Sequence, residues 1–313
     1  MQTNELPENN FNNNDDIVEA KVSPIFAALI GLIGGFFLYQ IVGGILTLII
    51  FDMDLENAPI NSLRLMTIGG QILFILLPSL VFAQYSYYNI SKIFRFRIPS
   101  IKEIGLFILG LFILSPFLQS YLYLQNYLIE FLANNFSIVK SIKELLDYLN
   151  SLVEKTYSNL LSASNILEFL FVILVVAVVP AISEEIMFRG LIQRSFEQKL
   201  RPIIAISVTA IFFSLYHFNP YGVVPLTILG FYFGYAAIYS KSLIIPILLH
   251  FLNNFSAISL YHIIGSDELL RADVKATTDD LIIYLIIVII LGTLLFFLLS
   301  YIKKFYSSLN HNF

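Results

Sequence analysis

The chain has 313 residues, of which 58% are hydrophobic and 13% are charged, and its mean hydropathy is +0.80. This balance is far from that of a soluble domain and predicts a polytopic membrane protein. The net charge of −4, without a basic stripe, argues against a nucleic-acid partner. The absence of cysteine excludes thiol catalysis, disulfide bonds and Cys-ligated zinc.

Residues 1–20 are acidic and rich in asparagine, so we expect a disordered tail. The first apolar run, from Ser23 to Phe51, follows an acidic stretch and is longer than a signal-peptide core, which predicts a retained membrane span. Further spans are predicted over 64–86, 104–124, 164–183, 202–217, 221–239, 243–264 and 281–302. The expected fold class is an all-α membrane protein, with about eight transmembrane helices in one bundle around a polar intramembrane site.

The predicted span at 202–217 is short and lies between Pro202 and Pro220, so we expect a tilted or half-buried helix there. The same breaks divide the whole chain into five stretches. These are the tail (1–20), the N-terminal transmembrane helices (21–124), an amphipathic interfacial segment (125–163), a core that carries the polar motifs (164–264), and a loop with the last transmembrane helix (265–313).

The interruption at 125–163 contains apolar residues at alternating steps of four and three, which predicts one amphipathic helix. They are Ile138, Ile142, Leu145, Leu149 and Leu152. We expect this helix on the non-cytoplasmic membrane interface or as a cap on the bundle.

Lys and Arg residues are concentrated on the side of the predicted N-terminus, which favours a protein with both termini in the cytoplasm. The short loops and the Asn-, Ile- and Phe-rich composition are typical of a bacterial plasma-membrane protein. The lipid bilayer is therefore one expected partner.

Two carboxylates and a guanidinium follow Pro180 in the segment SEEIMFRG. Glu185 and Arg189 are four residues apart and share a helix face, whereas Glu184 is rotated by about 100° from Glu185. One carboxylate could thus be paired while the other acts on water. The alternative is a new helix that begins after Pro180, is capped by Ser183 and carries two solvated acids in its first turn.

Two later apolar segments carry histidine. His217 follows Phe213 by one helical turn, and His250 shares a helix face with Asn254. A single histidine near the end of a span is often an interfacial group or a satisfied core group. An imidazole and an amide inside an apolar helix nevertheless need polar partners, and a common cavity with the acidic segment would supply them.

The three motifs resemble those of one known family. They are EExxxR (Glu184, Glu185, Arg189), FxxxH (Phe213, His217) and HxxxN (His250, Asn254), in this order on successive apolar segments. In this respect the chain resembles the CPBP family of intramembrane proteases, named for CAAX prenyl proteases and bacteriocin-processing (Abi) enzymes. The resemblance covers roughly 164–264.

The resemblance implies that Glu184 is the general base for a hydrolytic water and that His217 assists it. It also implies that Glu185 and Arg189 organise the site. The expected substrate is a peptide or a small membrane-associated protein, which enters laterally or from the cytoplasmic side.

By the same resemblance, His250 and Asn254 would donate to the oxyanion of the tetrahedral intermediate. A metal is a further alternative, because Glu184, His217 and His250 could bind zinc with water in the fourth position. We favour glutamate chemistry without a cofactor. A non-catalytic bacteriocin-immunity or scaffold protein of the same fold is the main rival, and a transporter is disfavoured because the chain shows no repeated halves.

Overall fold

The structure, a computed structural model, describes residues 17–55, 57–264 and 278–310. Most of the predicted N-terminal tail therefore lies outside the described residues. The same is true of the predicted loop after residue 264.

The described part of the chain is built from helices. In chain order they are α1 (Pro24–Ile50), α2 (Ile60–Ser86), α3 (Ile90–Phe94), α4 (Ile101–Asn135), α5 (Ser137–Leu161), α6 (Ile166–Glu197), α7 (Pro202–Tyr216), α8 (Val223–Ser240), α9 (Ile244–Ile264) and α10 (Thr278–Asn310). Within the described ranges, seven of them are long and apolar enough to cross a membrane, namely α1, α2, α4, α6, α8, α9 and α10. The predicted all-α membrane bundle is confirmed, with α7 as a shorter apolar helix.

Local sequence signals explain several helix starts. At the start of α4, Ser100 and Glu103 form a reciprocal capping box. The Asn165 side chain accepts a hydrogen bond from the Glu168 backbone N–H and caps α6. Proline in the first turn begins α7, where its missing N–H removes no helical hydrogen bond.

The predicted span at 164–183 continues in the structure as far as Glu197. The helix does not restart at Pro180, because a π-helical turn at Leu174–Val178 directly precedes this proline and accommodates its missing N–H. Ser183 is a buried residue inside the helix, so the alternative of a new helix capped by Ser183 is wrong.

Helix α6 lies in the centre of the bundle, and every residue from Glu185 to Phe196 is buried. Its Met187 and Phe188 pack with Phe213 and Tyr216 of α7 and with Leu32 of α1. The most hydrophobic stretch of α10, by contrast, contains no buried residue. The acidic segment therefore lies in protein surroundings rather than on the lipid-facing surface.

The predicted amphipathic helix is present as α5, although it begins only at Ser137 because α4 continues to Asn135. The apolar side chains of the predicted stripe are all exposed and are turned away from the bundle. The opposite side is polar and contacts the protein. There Lys143 bonds Asp147 of α5 at 2.8 Å and pairs with Glu130 of α4 at 3.4 Å. The location of α5 at the membrane interface stays a prediction.

Two contacts hold α5 across one end of the bundle. The Tyr221 hydroxyl, four residues beyond His217, donates to Asp147. Burial by itself would raise the pKa of Asp147, but hydrogen bonds from Lys143 and Tyr221 outweigh it and lower that pKa. At the other end of α5, the buried Arg64 donates to the Leu160 carbonyl at 3.1 Å.

Candidate active site

A buried ion-pair cluster joins two of the three motifs. The Glu185 Oε1 atom accepts from Arg189 Nη1 at 2.9 Å and from His250 Nδ1 at 2.8 Å. The residues are 0%, 3% and 3% exposed, respectively. Because the Glu185 oxygen is an acceptor, Nδ1 of His250 carries a hydrogen and Nε2 is the ring nitrogen left for other contacts.

Aromatic rings enclose the Arg189 guanidinium. Its central carbon lies 4.4 Å from the ring centroid of Phe213 and 5.5 Å from that of Phe233, so cation–π attraction adds to the ion pair. Nη2 donates to the Gly230 carbonyl at 2.9 Å. A Cβ at Gly230 would lie 3.3 Å from that nitrogen and 3.0 Å from Phe213 Cδ1, so the close approach depends on glycine.

Glu184 faces a different direction, as its rotation from Glu185 requires. Its Oε1 accepts from Gln71 Nε2 at 2.9 Å. Its Oε2 lies 3.9 Å from His217 Nε2, beyond hydrogen-bond range, and this buried oxygen has no hydrogen-bond partner among the described residues. Side-chain exposure is 12% for Glu184 and 21% for His217, so the space between them is only partly enclosed.

His217 is oriented by its own helix. Its Nδ1 lies 2.7 Å from the Phe213 carbonyl oxygen, which can only accept, so Nδ1 is the protonated nitrogen. In the neutral imidazole, Nε2 then directs a lone pair towards Glu184. The Phe213 ring lies 4.7 Å from the His217 ring and 5.8 Å from the His250 ring, and it forms the wall between the two histidines.

Asn254 is placed one helical turn from His250 but makes different contacts. Its Nδ2 donates to the Val176 carbonyl of α6 at 2.9 Å, and its Oδ1 accepts from Asn253 at 3.1 Å. The side chain therefore anchors α9 on the π-helical turn of α6. An amide nitrogen has two hydrogens, so one remains for a further acceptor.

The structure places Glu184 opposite His217 and joins Glu185, Arg189 and His250 in one cluster, whereas Asn254, in the middle of α9, contacts the Val176 carbonyl instead. In the described part of the chain, no three His, Asp or Glu side chains converge closely enough to hold a metal ion. The role of Glu184, His217 and His250 as zinc ligands stays a prediction. The His250 ring is directed by Glu185 and not by Glu184.

Sequence reasoning missed Gln71 of α2, which contacts the Glu184 carboxylate directly. The available signal was a single amide at the start of the apolar run QILFIL, since a polar residue inside a span needs a partner. Tyr157 of α5 was also missed. Desolvation and, secondarily, the charge of the Glu184 carboxylate raise the pKa of Tyr157, although 36% of the residue surface is exposed.

Fold and site together define a polytopic helical membrane protein with a buried glutamate, arginine and histidine centre. Residues 166–256 match the family described as type II CAAX prenyl endopeptidase Rce1-like. This match includes all three motifs and confirms the resemblance to the CPBP family of CAAX-type proteases. At the level of that family, it supports a membrane protease that acts on a peptide or protein substrate. Comparison with curated proteins and with solved structures finds no match.

Proposed function

We propose that the protein is an intramembrane endopeptidase that cleaves a peptide or small membrane-associated protein with a water activated by Glu184 and His217. The observation that carries this proposal is the facing pair of Glu184 Oε2 and His217 Nε2, 3.9 Å apart. With His217 in the neutral form, both atoms are acceptors. A water placed beside them can donate one hydrogen to each, which orients its oxygen lone pair towards a substrate carbonyl.

The reaction follows from this arrangement. Glu184 takes a proton from the water as the water oxygen forms a bond to the carbonyl carbon, and the carbonyl electrons move onto its oxygen. When the tetrahedral intermediate collapses, the C–N bond breaks and the proton held by Glu184 passes to the leaving amine. His217 keeps the second hydrogen of the water in place during the attack.

The Glu185, Arg189 and His250 cluster supports stabilisation of the oxyanion. Glu185 holds Nδ1 of His250, so Nε2 of the imidazolium form can donate to the developing negative charge. With His250 charged, one guanidinium and one imidazolium balance the two carboxylates, and the buried site is neutral. The spare amide hydrogen of Asn254 supplies a second donor.

The membrane location defines how a substrate arrives. The site lies between apolar helices, so a substrate anchored in the bilayer enters laterally or from the cytoplasmic side in this proposal. The proposal also places the protein in a bacterial plasma membrane with both termini in the cytoplasm. This orientation rests on the distribution of Lys and Arg along the sequence.

Replacement of His217 separates catalysis from binding. We expect His217→Phe to lower kcat by about 10²- to 10⁴-fold because the water loses its second acceptor. The measurement is turnover of quenched peptides, prenylated and unprenylated, by purified protein in lipid nanodiscs. His262→Phe is the matched control, since Nδ1 of this second histidine of α9 bonds the Ile258 carbonyl of its own helix. Equal activity of the wild type and the His217 variant would contradict the proposed role.

Chelation distinguishes glutamate chemistry from metal chemistry. We expect the cleavage rate to survive prolonged treatment with 1,10-phenanthroline followed by dialysis, because the proposed mechanism moves the proton through Glu184 alone. The measurement is kcat before and after treatment, with zinc content determined in parallel. Loss of activity with recovery on zinc addition would overturn this part of the proposal.

The same assay tests the rival function. A non-catalytic immunity or scaffold protein of this fold would bind peptides in the nanodiscs without cleaving any of them. Binding by the wild type, with no product above that formed by a Glu184→Gln variant, would favour that function.

A further inference from the structure

We infer that Gln71 is a positioning residue for the catalytic carboxylate, holding one oxygen of Glu184 so that the other faces His217. The inference rests on the proposed function. Gln71 lies on α2, outside the matched residues 166–256, and so extends the site to the N-terminal half of the chain.

Contacts on both ends of the Gln71 amide fix its orientation. The Glu184 carboxylate at one end of the amide can only accept a hydrogen bond, whereas the Ser183 hydroxyl at the other end, 2.8 Å from Gln71 Oε1 and also in contact with the Val179 carbonyl, can donate or accept. The NH₂ group must therefore face Glu184, whose Oε1 is 2.9 Å away. The Tyr39 hydroxyl, 3.4 Å from Gln71 Nε2, is the acceptor on the remaining side.

The hydrogen bonds that Gln71 makes with Glu184 and Ser183 form a clamp on the carboxylate, and burial makes this clamp rigid. Gln71 is 3% exposed and Ser183 is 0% exposed, so water does not compete strongly for their hydrogen bonds. Ser183 directly precedes Glu184, which ties the backbone of the catalytic residue to the amide that orients its side chain. Gln71 also begins the π-helical turn Gln71–Leu76, a kind of turn that often occurs at functional sites.

The clamp makes the two oxygens of Glu184 inequivalent. Oε1 accepts a hydrogen bond from Gln71, whereas Oε2 is buried without a partner among the described residues and faces His217. Without Gln71 the carboxylate could rotate and present either oxygen or neither to the water. The expected consequence is a slower chemical step with little change in substrate binding.

Gln71→Met tests the inference because methionine keeps the length of the side chain but cannot donate. We expect kcat to fall about 10- to 100-fold, as for a lost hydrogen bond to a charged group, while KM changes by less than about twofold. Ser183→Ala should lower kcat by a smaller factor, because the amide loses only its orienting partner. The assay is peptide turnover in nanodiscs, with the thermal unfolding midpoint measured for each variant.

Ser79→Ala is the matched control on α2, because this buried hydroxyl bonds only the Ile75 carbonyl of its own helix. It should leave kcat unchanged. A second readout is a double-mutant cycle in a Glu184→Asp background, where the shortened carboxylate lies beyond the reach of Gln71. Gln71→Met should then have little further effect, which a general loss of packing would not explain.

Two outcomes overturn different statements. Cleavage by the wild type, combined with an unchanged kcat for Gln71→Met or an equal loss in both backgrounds, overturns the positioning role alone. No cleavage by the wild type overturns the proposed function and this inference with it.

Discussion

Glu184→Gln is expected to lower kcat by roughly a thousandfold or more, since the amide cannot take a proton from the hydrolytic water. The substitution keeps the side-chain shape, and the amide oxygen can still accept from Gln71. The thermal unfolding midpoint and the affinity for uncleaved peptide should therefore stay close to those of the wild type. Peptide turnover under single-turnover conditions is the measurement, because it isolates the chemical step.

The matched control for this variant is Glu168→Gln. Glu168 lies on the same helix, but its carboxylate bonds the exposed backbone N–H of Ser164 at the helix start. Its replacement should leave turnover within about twofold of the wild type, as expected for a partly buried group at the helix start that does not contact the site. Substantial cleavage by the Glu184 variant, at a rate comparable to this control, would assign the base to another residue.

Arg189→Met is expected to be the most destabilising single change discussed, by about 3–5 kcal/mol, because it leaves the Glu185 carboxylate buried without its guanidinium. The lost contacts are the ion pair at 2.9 Å and the hydrogen bond to the Gly230 carbonyl. Activity should fall as well, since the support for His250 is lost. Thermal unfolding in nanodiscs, followed together with peptide turnover, measures both effects.

A double variant, Glu185→Leu with Arg189→Met, distinguishes electrostatic from packing effects. Removal of both charges should restore much of the stability, because no unpaired charge remains buried, but should not restore activity. Arg201→Met is the control on an exposed arginine and should change stability by less than about 0.5 kcal/mol. If the double variant is less stable than Arg189→Met, the buried charge is not the source of the loss.

Contacts within one helix were the part of the site that spacing alone could predict. Glu185 and Arg189 pair because residues four apart share a helix face, and Glu184 points elsewhere for the same reason. The contact between Glu185 and His250 spans 65 residues and depends on how α6 and α9 pack. Before the structure was known, the need of His250 for polar partners and the family resemblance both predicted a shared site, but neither specified this contact.

Other features were beyond the reach of sequence patterns. Helix α6 continues past residue 183, the predicted end of the span, to Glu197, because its polar residues have partners inside the protein: Arg194 is buried and pairs with Glu197 of the same helix. Gln71 gave no periodic or motif signal, since a single amide reveals a need for a partner but not which partner. The direction of the α5 stripe could not be decided either, because an amphipathic period does not say which side faces protein.

The outward-facing hydrophobic side of α5 restricts how this helix can move. If its apolar stripe faces lipid, as predicted, lifting α5 into water would expose that stripe, and pushing α5 into hydrocarbon would separate Lys143 from Glu130 and Asp147 from Tyr221. Sliding parallel to the membrane surface avoids both penalties. If access to Glu184 requires α5 to move, the lateral pressure and fluidity of the neighbouring lipids would then control how often that happens.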